Sequence, residues 1–273
     1  MMEKPPPGAG EEFWRDFLMN GDPQERRNRA IYRNIPSNPR CKLCAAPFGG
    51  LGAPIMRVLG KRPALNNPHL CSSCFTFINK HRGGAEIPLS LLFADVRGST
   101  GLAERMPPGE YQALMGRFYD AAAKAVFDND GFLDKFVGDE VVAIFAPLLA
   151  GELHAGRALD AARMLLTGTG HGMADGPWLQ IGAGVHTGVA WMGTVGEGTH
   201  STMTALGDAA NVAARLASMA KPGEILLTIE AATAAGLDTS GIPHQQLELR
   251  GKQQQTEVVS LQIGSAPAVA AAD

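Results

Sequence analysis

Leu89-Ser90-Leu91-Leu92-Phe93-Ala94-Asp95-Val96-Arg97-Gly98-Ser99 decides how this chain is read. The continuous apolar run from Leu89 to Ala94 is what a strand covered on both faces requires. It runs into Asp95, and an acid at a strand mouth is partly desolvated and needs a cation or a hydrogen-bond donor. Gly98-Ser99-Thr100 would then open a helix whose free backbone N–H groups face an anion. Acid followed by amides is the order that suits a metal-bound triphosphate. A second acid, Asp139, follows Gly138 at a turn between Gly131–Val137 and Glu140–Phe145. Taken singly, Asp95 also reads as a cap or turn residue, and Gly-Asp is an ordinary hairpin pair. The frame tips the balance: two apolar strands are interrupted only by Asp134 and Lys135, and a lysine in such a strand requires a reason.

Four stretches in this order, FADVRGST (93–100), DKFVGDEVVAIF (134–145), GAGVHTGVAWMGTVG (182–196) and TALGDAANVAAR (204–215), resemble the class III adenylate and guanylate cyclase catalytic domain. The resemblance covers Ile87 to Ile263. It implies that Asp95 and Asp139 hold a pair of Mg²⁺ or Mn²⁺ ions, with the carbonyl of Val96 as a further ligand. Lys135 matches the lysine that donates to adenine. Thr204 stands where many members carry an aspartate that receives the adenine amino group, a departure shared with a lysine/threonine subgroup often linked to bicarbonate. Asn211 matches the residue that orients the ribose, Arg215 the one that stabilises charge on the α-phosphate, and Arg250 a terminal-phosphate cation. Gly98, Ser99 and Thr100 fall at the phosphates. The implied reaction is attack of the ribose 3′-hydroxyl on the α-phosphorus of ATP with loss of pyrophosphate. Family members work as dimers with shared sites, and this chain carries both halves, so a symmetric homodimer is expected.

Residue chemistry agrees with these roles. Asn211 and Arg215 are four apart on an alanine-rich helix and so lie on one face, with Val212, Leu216 and Met219 marking an adjoining core stripe. Each also reads, alone, as a solvated helix residue. Asp208 reads as the cap of that helix. Oxygen ligands from two carboxylates suit Mg²⁺ or Mn²⁺. No side-chain nucleophile is required, and His186 reads as a hydrogen-bonding group at a strand end.

All four cysteines fall in two pairs, Cys41-Lys42-Leu43-Cys44 and Cys71-Ser72-Ser73-Cys74. Two knuckles with nothing left over form a metal signature, and the Gly/Pro-rich loop between them lacks the apolar content to fold without a tie. Zinc is the expected ion, with an iron–sulfur cluster left open and a pair of disulfides as the alternative that a reducing compartment disfavours.

The 273 residues divide into an arm (1–39), the four-cysteine module (40–85), a catalytic domain (86–263) and an Ala/Pro tail (264–273) expected to be disordered. The arm pairs Phe13, Trp14, Phe17 and Leu18 with Arg26, Arg27, Arg29 and Arg33, which read as a solvated face. The catalytic domain reads as α+β, a ferredoxin-like sandwich of helices on a mostly antiparallel sheet, preceded by a zinc-ribbon-like module. Its expected elements are a helix from Gly109 to Phe127, a helix from His154 to Leu166, a hairpin of Leu179–Val185 with Gly188–Val195, the Asn211 helix, a strand Glu224–Thr228 and two late strands. A balance of 24 basic to 27 acidic residues gives no nucleic-acid signal. No apolar run reaches a membrane span and the start lacks a signal-peptide core, so a cytoplasmic protein is expected. A guanylate cyclase, or a catalytically silent nucleotide-sensing module with a zinc-ribbon binder, are the other readings.

Overall fold

The computed structural model describes residues 10–65, 67–197, 201–248 and 255–264. Helices α1 (Glu11–Asn20) and α2 (Pro23–Arg33) open the chain. The cysteine segment contributes α3 (Ala53–Val58), the strand pair β1 (Pro63–Ala64) and β2 (Asn67–Cys71), and α4 (Ser72–Lys80). Next come β3 (Gly84–Val96), α5 (Ser99–Arg105), α6 (Pro108–Asp128), β4 (Phe132–Val137), β5 (Glu140–Phe145), α7 (Pro147–Ala150) and α8 (His154–Gly168). The chain continues through β6 (Ile181–Val195), β7 (Thr202–Leu206), α9 (Asp208–Met219), β8 (Glu224–Thr228), α10 (Ile229–Ala234), β9 (His244–Leu247) and β10 (Thr256–Gln262).

One sheet carries eight of these strands, in the order β4-β5-β3-β6-β8-β10-β9, with β7 added along β6. Every pairing is antiparallel except β6 with β8. Strand β3 explains why the Leu89–Ala94 run is apolar throughout. Its odd residues Ile87, Leu89, Leu91 and Phe93 join one buried cluster, and its even residues Leu92, Ala94 and Val96 join the other. Helices α6 and α8 cover the even face through Phe118, Ala122, Leu159 and Leu165. Helix α9 covers part of the odd face through Ala209, Ala213 and Ala217. The rest of that face is covered by the arm and the cysteine module, through Trp14, Leu18, Phe48, Leu70 and Ile78.

Several expectations need correcting. Leu179–Val195 does not form a hairpin. Residues Ile181–Val195 make a single strand that pairs β3 in unbroken register from Val96↔Ile181 to Gly84↔Gly193. Two glycines of this strand serve close packing: a Cβ on Gly184 would collide with the backbone of Ala213 and Ala217, and one on Gly182 with Ala220. Small residues let α9 lie directly on the sheet. Met219 is 45% exposed and leaves the stripe formed by Val212 and Leu216. Asp208 is the first residue of α9, with Gly207 at the N-cap position, so it lies in the first turn and not at the cap. His186 sits within β6, not at a strand end, and pairs with the Thr228 hydroxyl at 2.9 Å.

Three of the four arginines, Arg26, Arg29 and Arg33, form a clamp and not a solvated face, whereas Arg27 is exposed as expected. Arg29 is buried and donates to the carbonyls of Leu43, at 2.5 Å, and Gly131, tying α2 to the first cysteine knuckle and to the start of β4. Arg26 donates to the Leu148 carbonyl at 3.0 Å, and Arg33 pairs with Asp130 at 2.9 Å. Such groups are buried because carbonyl oxygens replace the water they lose.

Candidate active site

The hairpin of β4 and β5 turns at Gly138, whose φ of 61° belongs to the left-handed region that glycine adopts without strain. This turn lays Asp139 against the end of β3. Asp95 pairs with Glu140 across the strands, and the Val96 N–H donates to the Asp139 carbonyl at 3.2 Å. Burial lifts the Asp95 carboxyl above its ordinary range; Arg97 opposes the shift and the neighbouring Asp139 adds to it. Glu140 is raised in the same way, by burial and then by Asp95 and Asp139. Carboxylates in this arrangement gain from a cation between them. Arg97 supplies one: it reaches Asp95 at 2.5 Å while donating to the carbonyls of Ser218 and Ala220 at the end of α9. The donor set is all oxygen, which suits Mg²⁺ or Mn²⁺. Gly98, with φ of 70°, precedes α5, and Ser99 and Thr100 form its first turn directly beyond Val96.

Lys135 and Thr204 lie on strands separated in the sheet by β5, β3 and β6. Flat, four steps of about 4.8 Å would hold them about 19 Å apart. The long β3–β6 ribbon instead curls, bringing β7 across to β4. Thr204 donates to the Asp134 carboxylate at 2.7 Å, and Lys135 reaches the same oxygen at 3.2 Å. Asp134 is the extra residue at a bulge in β4, where the register slips between Leu133 and Lys135. Both Asp134 and Thr204 are buried, whereas the Lys135 side chain is half exposed. The reason for a lysine in this strand is therefore an acid beside it. β7 itself was absent from the sequence-based element list, since its Thr202–Leu206 alternates too briefly to mark a strand.

Asn211 and Arg215 lie one turn apart on α9, Asn211 exposed and Arg215 partly buried. Among the described residues no hydrogen bond or ion pair joins either to the acids or to Lys135. Arg250 lies outside the described residues, as does the tail beyond Gly264. Sequence reasoning missed Arg97, Glu140 and Asp134 as members of the site. The signal available for Asp134 was its place in an apolar strand next to Lys135.

The four cysteines are buried free thiols whose sulfur atoms all lie within 4.8 Å of one another. Cys44 and Cys71 Sγ are 3.7 Å apart, far beyond a disulfide bond. Two ligands at about 2.3 Å on a tetrahedral ion would be separated by about 3.8 Å. Backbone N–H groups already serve the sulfurs: Cys71 N–H donates to Cys41 Sγ at 3.2 Å, and Cys74 N–H to Cys71 Sγ at 3.5 Å. Donation from Cys41, then Cys44 and Cys74, pulls the Cys71 thiol down. The knuckle also touches the catalytic domain, because Lys42 donates to the Asp134 carbonyl at 2.7 Å.

Residues 86–261 match the family model described as the adenylate and guanylate cyclase catalytic domain. The chain belongs to that family. An adenylate cyclase of Anabaena cylindrica is 35% identical over 142 residues, 49% of this chain and 27% of its own length. An uncharacterized protein of Mycobacterium tuberculosis is 33% identical over 155 residues, 56% of this chain and 28% of its own. The chain thus spans little more than a quarter of the length of these relatives. Among solved structures, the guanylyl cyclase Cya2 superposes with a TM-score of 0.58 at 24% identity, covering 65% of this chain and 93% of that one, which shows the shared fold. The adenylyl cyclase CyaB of P. aeruginosa superposes with a TM-score of 0.56 at 25% identity, covering 67% and 97%. No helix among the described residues is long and apolar enough to cross a membrane.

Proposed function

We propose that this cyclase converts ATP to cyclic 3′,5′-AMP and pyrophosphate, in a cytoplasmic signalling role, as a symmetric homodimer with two shared sites. The observation that carries the reading is the meeting of Asp95, Asp139 and Glu140 at one strand mouth, with Arg97 as their counter-cation. Asp95, Asp139 and the Val96 carbonyl hold two divalent ions. When bound, these ions neutralise the phosphate oxygens that gain charge and acidify the attacking hydroxyl.

Every other role falls to the chain. Lys135 donates to adenine N1, with Thr204 as the second member of the base-reading pair. Asn211 orients the ribose so that its 3′-oxygen faces the α-phosphorus. The O3′–P bond forms, the bond from the α-phosphorus to the bridging oxygen breaks, and the hydroxyl proton is released. Arg215 carries the charge that builds on the α-phosphate, while the Ser99 and Thr100 turn and Arg250 serve the phosphates that leave.

Guanine carries an N–H where adenine has the N1 acceptor, so the Lys135 ammonium favours ATP. ATP is expected to exceed GTP in kcat/KM by at least about tenfold, or about 1.4 kcal/mol in the transition state. Equal turnover of the two triphosphates would make guanylate cyclisation the better reading.

The four thiolates hold one zinc ion that ties the module together and leaves no open coordination position for substrate. Cys41→Ser or Cys71→Ser is expected to lose the metal and to lower thermal stability. Elemental analysis of the parent protein is expected to give one zinc per chain, and the protein to be colourless; brown protein with visible absorbance would assign an iron–sulfur cluster instead.

A further inference from the structure

Asp134 is enclosed, and both its carbonyl and its carboxylate are engaged. Its carbonyl accepts from Lys42, and one carboxylate oxygen accepts both from the Thr204 hydroxyl and from the Lys135 ammonium. Its backbone forms the bulge that displaces Lys135 from the regular register of β4. Thr204 is 2% exposed, and the hydrogen of its hydroxyl is already committed to Asp134. The Lys135 ammonium is the one member of this trio that reaches solvent, with 49% of its side chain exposed against 4% for Asp134. A bulge residue held on three sides is a rigid mount, and a charge-assisted bond on a mobile lysine selects one position for its ammonium.

We infer that Asp134 is the positioning residue for the base-reading lysine, and that Thr204 acts on the base only through Asp134. This rests on the reading of Lys135 as the group that contacts the nucleotide base. It alters the part given to Thr204: the acid missing from position 204 is supplied by the neighbouring strand, and the threonine hydroxyl holds that acid in place. Lys42, between two cysteines, secures the same residue from behind.

Two ATP analogues separate the possible contacts. 1-Deaza-ATP lacks the ring nitrogen that Lys135 addresses, and purine riboside triphosphate keeps it but lacks the amino group. The test compares kcat/KM for ATP and each analogue, using the full chain with Mn²⁺. The parent is expected to prefer ATP to 1-deaza-ATP by at least about tenfold, the scale of a hydrogen bond to a charged donor, and Lys135→Met to lose that preference. Asp134→Leu should bring it below about threefold. Asp134→Asn, which keeps an oxygen for Lys135 and Thr204, should restore most of it. Thr204→Val should reduce it in the parent but change nothing further beside Asp134→Leu, and Thr204→Ser should behave as the parent.

Lys135→Met with an unchanged ratio would show that the lysine does not read the base, which sinks the underlying reading and this inference with it. Loss of the preference in Lys135→Met, but not in Asp134→Leu, overturns the inference alone. So does an Asp134→Leu protein that loses activity equally on ATP and 1-deaza-ATP, since that is a merely structural effect. A Thr204→Val protein that loses discrimination against purine riboside triphosphate while keeping that against 1-deaza-ATP would place the threonine directly on the amino group. Thr204→Val and Thr204→Ser keep the charge of Asp134 and provide this answer even if Asp134→Leu fails to fold.

Discussion

Asp139→Ala and Asp95→Asn chains are expected to lose at least about a thousandfold in kcat while remaining folded, because each leaves the divalent pair short of a ligand worth several kcal/mol to the transition state. The stability effect has the opposite sense to the activity effect at Asp95. Burial raises the carboxyl in the folded chain, with Arg97 opposing and Asp139 adding, so the ionised form is a cost in the metal-free protein. That cost is present above the folded-state pKa and is relieved as pH falls through it. Metal-free Asp95→Asn should therefore melt no lower than its parent. The parent should gain melting temperature on addition of Mn²⁺, and Asp95→Asn should gain much less. Parent-like turnover in either variant would contradict the two-metal arrangement.

The second large effect is complementation. Mixing inactive Asp139→Ala chains with inactive Arg215→Ala chains should restore activity to about a quarter of the parent, since half the dimers are mixed and each has one intact site out of two. Lys135 and Asp139 share a hairpin of six-residue strands, while Arg215 sits on α9 with no bond to either among the described residues. If subunit exchange is shown by a tag and no activity returns, the two sets act within one chain.

The elements that sequence revealed best are those whose pattern is local. The β3 run, the Gly138 hairpin, the alanine-rich α9 and the strand Glu224–Thr228 fall where period and turn chemistry put them. Asp95 and Asp139 stand out in the sequence because each interrupts an apolar strand end near a glycine, Gly98 three residues after the first and Gly138 directly before the second. What escaped depended on residues distant in the chain. Gly182 and Gly184 stand inside a strand where nothing local calls for glycine, until α9 is laid against them. Arg29 looks like part of a solvated run, yet its partners are carbonyls 14 and 102 positions away. Asp134 looks like an interruption in a strand until the sheet curls and Thr204 arrives.

The N-terminal segments show the same limit on a larger scale. The family resemblance begins the catalytic domain near Glu86, after a separate cysteine module. In the fold, Trp14, Leu18 and Ile78 cover Ile87, Leu89 and Leu91, and Arg29 and Lys42 bond to Gly131 and Asp134. Cutting the chain at Glu86 would uncover the part of the odd face that α9 does not reach. The arm and module are therefore part of the packing of the catalytic sheet, and the cysteine site stands directly behind the strand that carries Lys135.

The central claim is the chemistry, and one measurement addresses it most directly. Purified chain is incubated with Mn²⁺ and ATP, and the products are identified by mass and counted. Cyclic 3′,5′-AMP and pyrophosphate in equal amounts is the predicted result. ADP with phosphate, linear AMP with pyrophosphate, or no product from a folded, metal-loaded protein would contradict it.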